Sequence, residues 1–381
     1  MVKKIFLLAT VTAFFVGQAY AQTYAQTADS LASYTNPKPH KVVQLQERDF
    51  GKTPKNIILL IADGMSVTQV SAAITVNGGM LNINHMKHIG FTHTQSADNY
   101  ITDSAAGGTA IATGQRVKNG AIAVDANGKA IPTILQISDK NGKATGLVST
   151  SGITHATPAS FIAHQPSRNM YEAIAADFLK TDIDIFIGGG LEHFNQREDG
   201  RDLTKDLNKK GYQVFTSLED SKGANKAPMA IFTAEGHNAD YSDRCEMLTD
   251  ATRKVIEVLS ADPNGFFVMI EGSQIDWGGH ANSTPYIVGE MLDFDRAVGA
   301  ALEFAAKDGE TLVIVTSDHE TGGMTINGGS FEKHSVTARY TSTNHTAVMI
   351  PTFAYGPGAE AFIGIYDNTD LFVKMMTLFG Y

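Results

Sequence analysis

Six short runs of this 381-residue chain are largely apolar: Ile57 to Ala62, Ala144 to Ser149, Ile183 to Ile187, Phe266 to Ile270, Leu312 to Thr316 and Val348 to Ala354. A strand with one face in water would alternate apolar and polar residues, so continuous runs of this length call for a sheet covered on both faces. Helical patterns lie between them, at Val67 to Val76, Ile131 to Asn141, Met170 to Lys180, Asp243 to Ala261 and Pro285 to Lys307. The alternation predicts an α/β fold, a three-layer αβα sandwich around a central, largely parallel sheet. The stretch from Glu192 to Asn238 is more polar and charged; it reads as an excursion from the main sheet, with one strand at Gln213 to Phe215.

A chain of this length buries enough apolar surface for a stable core without staples. Its 43% hydrophobic and 18% charged content is that of a globular protein. No internal repeat or low-complexity tract divides it, and 52–381 is read as one domain preceded by a polar, aperiodic stretch, 22–51, expected to be a flexible arm. Before the arm, Lys3 and Lys4 precede an apolar run from Ile5 to Val16, and Ala19-Tyr20-Ala21 follows. A basic start, an apolar run and a small-x-small end are the parts of a cleavable signal peptide, here residues 1–21. The run is shorter than the roughly 20 residues that span a bilayer, which argues against a membrane anchor. The mature chain is therefore expected in the periplasm or outside the cell, without stable membrane insertion. Cleavage removes two lysines and no acidic residue, so the formal charge moves from −10 to −12. Such a net anion repels polyanions, and no Lys/Arg cluster offsets this, which excludes nucleic acid as a partner. An anionic small substrate would have to be met by metal ions or by a few placed arginines. Cys245, the only cysteine, allows no intramolecular disulfide and is expected to be a buried structural thiol.

Asp63, Glu271 and Asp318 each follow the C-terminal end of an apolar run. Open parallel sheets bind ligands outside the carboxyl ends of their strands. Three carboxylates gathered at one such rim cannot all ionise without compensating charge, and cations are the simplest compensation. Around these acids stand Asp63-Gly64-Met65, Thr102-Asp103-Ser104-Ala105, the run from Glu271 to His280, and Ser317-Asp318-His319-Glu320. Carboxylate and imidazole suit zinc, whereas an oxygen-only set suits magnesium, so the mixture points to more than one metal. Asp276 and His280, four apart, share a face if Gly278-Gly279 takes a helical turn. Taken singly each group is unspecific, since an Asp-Gly pair is commonly a turn. Gly188-Gly189-Gly190 lacks the ending of a phosphate-binding P-loop and reads as a sharp turn, and His85 and His88 read as a solvated loop.

Together with Thr154-His155-Ala156-Thr157-Pro158-Ala159, Thr316 to Gly323 and Asn344-His345-Thr346, these segments resemble the alkaline phosphatase family, in that family's order, from about Pro54 to near the C-terminus. The resemblance implies hydrolysis of small phosphate monoesters to alcohol and inorganic phosphate. It also implies one zinc ion (Zn2+) held by Asp276, His280 and His345 and a second held by Asp63, Asp318 and His319. A third, magnesium-type (Mg2+) site would use Asp63, Thr157 and Glu271. Ser104 matches the nucleophile that carries a phosphoserine intermediate, and Arg168 the arginine that grips phosphate. The family is commonly dimeric, so a homodimer is the assembly implied. In the enteric bacterial form an aspartate and a lysine stand where His155 and Trp277 stand here. These two are accessory to the third site or to substrate: His155 as a ligand or a hydrogen-bond partner of a bound water, Trp277 as rim packing or an N–H or water-mediated contact to phosphate.

The chemistry also follows from physical principles. A serine hydroxyl is a poor nucleophile at neutral pH, and a bound dication favours its alkoxide. Ser104 precedes Ala105 to Ala112, whose composition permits a helix with Ser104 at its start, where free N–H groups and the dipole favour an anion. A phosphodiesterase or sulfatase of the wider superfamily reuses the same metal frame with another nucleophile or partner. A non-catalytic exported phosphate- or zinc-binding protein is the alternative outside enzymes, and the complete nucleophile and ligand sets argue against it.

Overall fold

The computed structural model describes residues 29–381; the signal segment 1–21 and the first residues of the arm lie outside the described residues. All six apolar runs enter one ten-stranded sheet. From one edge its order is Gly364–Asp367, His88–His93, Ile350–Tyr355, Thr311–Thr316, Asn56–Ala62, Phe266–Gly272, Ala144–Gly152, Ile185–Gly189, Met229–Phe232 and Gln213–Phe215. Ile350–Tyr355 runs antiparallel to both its neighbours, and the remaining pairs are parallel.

The central strand Asn56–Ala62 shows why its run is continuous. Ile58, Leu60 and Ala62 enter the core on one face, with the helices Val67–Val76, Met247–Leu259 and Thr284–Asp308. Ile57, Leu59 and Ile61 enter the other, with Ser104–Thr113, Ile134–Lys140, Tyr171–Asp177 and Thr369–Phe379. Every residue from Ile57 to Ala62 is fully buried, and each such Ile or Leu stabilises the fold by roughly 1.5–3 kcal/mol through burial. The long helix Thr284–Asp308 is delimited by local chemistry. Ser283 accepts from Tyr286 N at its start, and Gly309 ends it in a left-handed conformation.

Several expectations need correction. The segment 192–238 does not leave the sheet; it supplies the two strands of the far edge, Gln213–Phe215 and Met229–Phe232. Residues 33–48 are not a loosely held arm. Ser33–Thr35 pairs with Ser335–Arg339 in a small three-stranded sheet completed by Thr325–Ser330. Further along, His40 Nε2 meets Asp295 Oδ2 at 2.7 Å, and Arg48 donates to Ala306 O and Lys307 O at the end of the long helix. Backbone pairing, polar side chains and the isolated apolar contacts of Tyr34 and Leu45 hold this segment, so no apolar periodicity announced it. Cys245 is exposed rather than buried: the helix begins at Met247, and Cys245 sits before it at φ 57°. His85 ends a 3-10 turn with Nε2 2.9 Å from Val43 O, and His88 opens a sheet strand, so neither lies in a solvated loop. Among the described residues, no helix is long and apolar enough to cross a membrane.

Candidate active site

The four central strands end level. Ile61 pairs with Thr316 on one side and with Glu271 on the other, and Glu271 pairs in turn with Ser149. Asp63 therefore emerges between the loop carrying Asp318 and His319 and the strand carrying Glu271. The helix Gln274–His280 starts just past that strand, so its helical spacing puts Asp276 and His280 on one face. Gly64 allows the close approach: at φ +82°, a Cβ there would fall 2.6 Å from Asp276 Cα. His345 comes from a two-residue strand pairing with Glu320–Thr321. Ser104 opens the buried helix Ser104–Thr113, N-capped by Asp103, whose side chain accepts from Ala106 N.

Two side-chain nests result. In one, Asp276, His280 and His345 bring a ligand atom each to within 4.8 Å of one another. Asp276 Oδ1 is 3.3 Å from His280 Nε2 and 3.5 Å from His345 Nε2. In the other, His319 Nε2 stands 3.6 Å from Asp63 Oδ1, 3.2 Å from Asp318 Oδ2 and 3.2 Å from Ser104 Oγ. Asp276 also clusters with Asp63 and His319, so it stands between the nests, a shared position that its spacing from His280 did not reveal.

The donor chemistry fits cations. His280 Nδ1 lies 2.7 Å from Thr343 O and His345 Nδ1 2.9 Å from Thr102 O. A carbonyl can only accept, so both rings carry hydrogen on Nδ1 and, when neutral, a lone pair on Nε2. Yet the two Nε2 atoms face each other at 3.2 Å, an arrangement that needs positive charge between them. Asp63 Oδ1, Asp318 Oδ2 and Glu271 Oε1 are buried without hydrogen-bond partners, as oxygens reserved for metal ligation would be.

The electrostatics agree. Burial raises Asp63, reinforced by Asp318, Asp276 and Glu271. Burial also pushes Asp318 up to about 6, with Asp276 adding to it, and Glu271 up to about 7 against hydrogen bonds from Ser149 and Ser273. Burial holds His319 well below the ordinary imidazole range. His280 moves up because of its hydrogen bond to Asp276, so the outer nest already favours positive charge. Buried acids held this close together can all ionise only with cations among them.

The remaining expected residues adjoin the nests. Thr157 Oγ1 lies 3.5 Å from Asp63 Oδ2. Glu271 Oε2 accepts from Ser149 at 2.6 Å and Ser273 at 2.7 Å, which leaves Oε1 for another partner. Arg168 NH1 donates to Asp103 Oδ2 at 3.1 Å, and its NH2 is 3.4 Å from His155 Nε2. Burial and the Arg168 charge lower His155 to about 3, so its imidazole is neutral. Trp277 stands edge-on to His155, ring centres 6.2 Å apart, and to His237 at 5.0 Å.

Four contributors had no role assigned from the sequence. Asp103 anchors Arg168, and its place just before Ser104 was the available signal. Buried Glu320 accepts from Gln69, Gly323 N, Met324 N and Thr346 and so ties the His319 loop to the His345 strand. Thr321 lies between Asp276 and His319, and His237 accepts from Gly152 N. No spacing in the chain marks the last three.

A family model described as alkaline phosphatase matches residues 54–339. The chain is 35% identical to alkaline phosphatase 4 of Bacillus subtilis (strain 168), over 83% of this chain and 87% of that protein. It is 32% identical to the alkaline phosphatase of Escherichia coli (strain K12), over 86% and 87% of the two chains. In three dimensions it is similar to the alkaline phosphatase from the Antarctic bacterium TAB5, with a TM-score of 0.82 and 41% identity, covering 89% of this chain and 99% of that one. Likeness of this extent in both sequence and fold shows that the chain belongs to the alkaline phosphatase family and is a phosphomonoester hydrolase.

Proposed function

We propose that Ser104 is the nucleophile of this phosphatase and that turnover passes through a phosphoserine. The carrying observation is the position of Ser104 Oγ, 3.2 Å from His319 Nε2 at the first residue of a buried ten-residue helix. Helix N-terminal N–H groups and the dipole stabilise negative charge on that oxygen. Two zinc ions, in the nest of Asp276, His280 and His345 and in that of Asp63, Asp318 and His319, with magnesium at Asp63, Thr157 and Glu271, would supply the positive charge that attacking and departing oxygens need.

The chain's own residues order the steps. Ser104 Oγ forms a bond to phosphorus as the bond from phosphorus to the substrate alcohol oxygen breaks, and the alcohol leaves with a proton. Water then attacks the same phosphorus, the bond to Ser104 Oγ breaks, and inorganic phosphate departs as the hydroxyl is restored. Arg168 binds two phosphate oxygens through its planar fork while Asp103 holds it in place. Two variants of the TAB5 enzyme, with a histidine replaced by aspartate or by glutamate, have magnesium bound in the M3 site. Here the neutral His155 adds no negative charge beside Thr157. His155 and Trp277 therefore shape the third site and the phosphate pocket without contributing charge to it.

Export follows from the signal pattern at residues 1–21, and a homodimer from the family resemblance. Amino-terminal sequencing of periplasmic or secreted protein tests the first, and light scattering after size-exclusion chromatography the second. The central test is hydrolysis of p-nitrophenyl phosphate by the parent, by chelator-treated and zinc-restored protein, and by Ser104→Ala. Chelation and Ser104→Ala should each abolish turnover, with zinc restoring only the former; activity indifferent to both treatments would refute the mechanism.

A further inference from the structure

His280 and His345 each present Nδ1 to a carbonyl, which leaves no choice of tautomer. His319 is different. Its Nδ1 is 3.3 Å from Thr321 Oγ1, and a hydroxyl can either donate or accept. The single hydroxyl proton is already engaged, because Thr321 Oγ1 donates to Asp276 Oδ1. Toward His319 the oxygen can therefore only accept, which places hydrogen on Nδ1 and the lone pair on Nε2.

We propose that Thr321 is a positioning residue that couples the two metal nests, its hydroxyl relaying a hydrogen bond from His319 Nδ1–H to Asp276 Oδ1. One side chain thus aims a ligand of each nest: it turns the His319 lone pair toward Ser104, Asp63 and Asp318, and it orients Asp276 toward His280 and His345. The inference rests on the two-zinc reading above and deepens it.

The surroundings leave Thr321 one place to stand. It is fully buried, its N–H donates to Gly64 O at 3.2 Å, and it pairs with His345 across the short ladder. A Cβ on Gly279 would come within 2.8 Å of Thr321 Cβ and Cγ2, so the neighbouring helix closes over the methyl. With backbone and methyl held, the hydroxyl has a set direction. Hydrogen-bond partners behind metal ligands typically govern affinity by about 10- to 100-fold.

The test uses the full-length protein freed of metal. Zinc affinity is read by competition with a chromophoric chelator, zinc stoichiometry by atomic emission, and geometry from the visible absorption of the cobalt-loaded form. Thr321→Val keeps the shape without the hydroxyl and should weaken zinc binding at both nests by about 10- to 100-fold, whereas Thr321→Ser, which keeps the hydroxyl, should stay within about threefold of the parent. The far-UV circular dichroism and thermal midpoint of the apo-proteins separate lost ligation from lost fold. Should Thr321→Val not fold, the cobalt spectrum of Thr321→Ser decides: a parent-like band supports the relay and a displaced band overturns it. Parent-like zinc affinity in Thr321→Val overturns the proposal, as does a loss in Thr321→Ser equal to that in Thr321→Val, which would assign the effect to packing at this position rather than to the hydroxyl. A parent that takes up no zinc would instead overturn the two-zinc reading itself.

Discussion

Asp103 joins Arg168 to the helix that Ser104 begins. Its Oδ2 accepts from Arg168 NH1 at 3.1 Å and from Gly120 N at 3.0 Å, while its Oδ1 accepts from Ala106 N at 3.0 Å in the first helical turn. The residue that caps the Ser104 helix therefore also positions the Arg168 guanidinium.

Arg168→Lys keeps the charge and loses the planar fork. We expect kcat/KM for p-nitrophenyl phosphate to fall by about 10- to 100-fold, with weaker inhibition by inorganic phosphate and an unchanged thermal midpoint. Steady-state kinetics with phosphate as competitor measures this, and a lysine variant with parent kinetics would remove Arg168 from the phosphate pocket.

Metal removal should lower stability as well as activity. The facing Nε2 atoms of His280 and His345, 3.2 Å apart, and the orphaned Asp63 and Asp318 oxygens are satisfied only when positive charge lies among them. A ligand at a thousand times its Kd stabilises a protein by about 4 kcal/mol per site. Calorimetry should show a lower midpoint after chelation that zinc restores; an unchanged midpoint would mean the nests hold no metal.

Gly64 is a backbone position beside the nests that cannot accept a side chain without cost. At φ +82°, with a virtual Cβ 2.6 Å from Asp276 Cα, Gly64→Ala combines strain with a collision against a nest ligand. A loss of at least about 2 kcal/mol is expected, together with reduced zinc content by atomic emission. Full zinc content and parent stability in this variant would contradict the tight seating of Asp276.

Asp184, remote from the nests, should carry a pH-dependent stability cost. Burial pushes its carboxyl up to about 6, against a hydrogen bond from Thr145 N, with Asp139 adding to the rise. Because the folded value exceeds the unfolded one, the native state keeps a proton that the unfolded chain has released between about pH 4 and 6. Stability contributed by this group therefore falls as pH rises through that window, and the full cost stands above it. Asp184→Asn retains an acceptor for Thr145 N and should gain about 1 kcal/mol at pH 8, discounted for partial solvent access, with no gain near pH 4. Thermal midpoints of zinc-loaded parent and variant at the two pH values check this; an equal gain at both would rule out the titration.

Much of the fold was legible because its core strands are buried on both faces. The helix over Val67–Val76 has the limits its pattern predicts, and all six apolar runs enter the sheet. Two outlying strands were not legible: Met229–Phe232, beside the edge strand Gln213–Phe215 that the sequence did mark, and the opposite edge strand Gly364–Asp367 have four residues each, too few for periodicity to separate from chance. The docking of residues 33–48 escaped for another reason, since it depends on hydrogen bonds to Val76, Asn77, Asn82 and Asp295.

The chain alone determined which side chains could take part, because short motifs keep chemically specific residues at strand ends whatever the details of packing. Local order also determined the i, i+4 partnership of Asp276 with His280 and the place of Ser104 at a helix start. Only the tertiary structure decided that Asp276 would stand between the nests, that Asp103 would hold Arg168, and that Thr321 would lie between Asp276 and His319. Those relationships join residues as far apart in the chain as Asp63 and Asp276, and their distances are set by the register of the central strands and the close approach at Gly64. No local pattern encodes either.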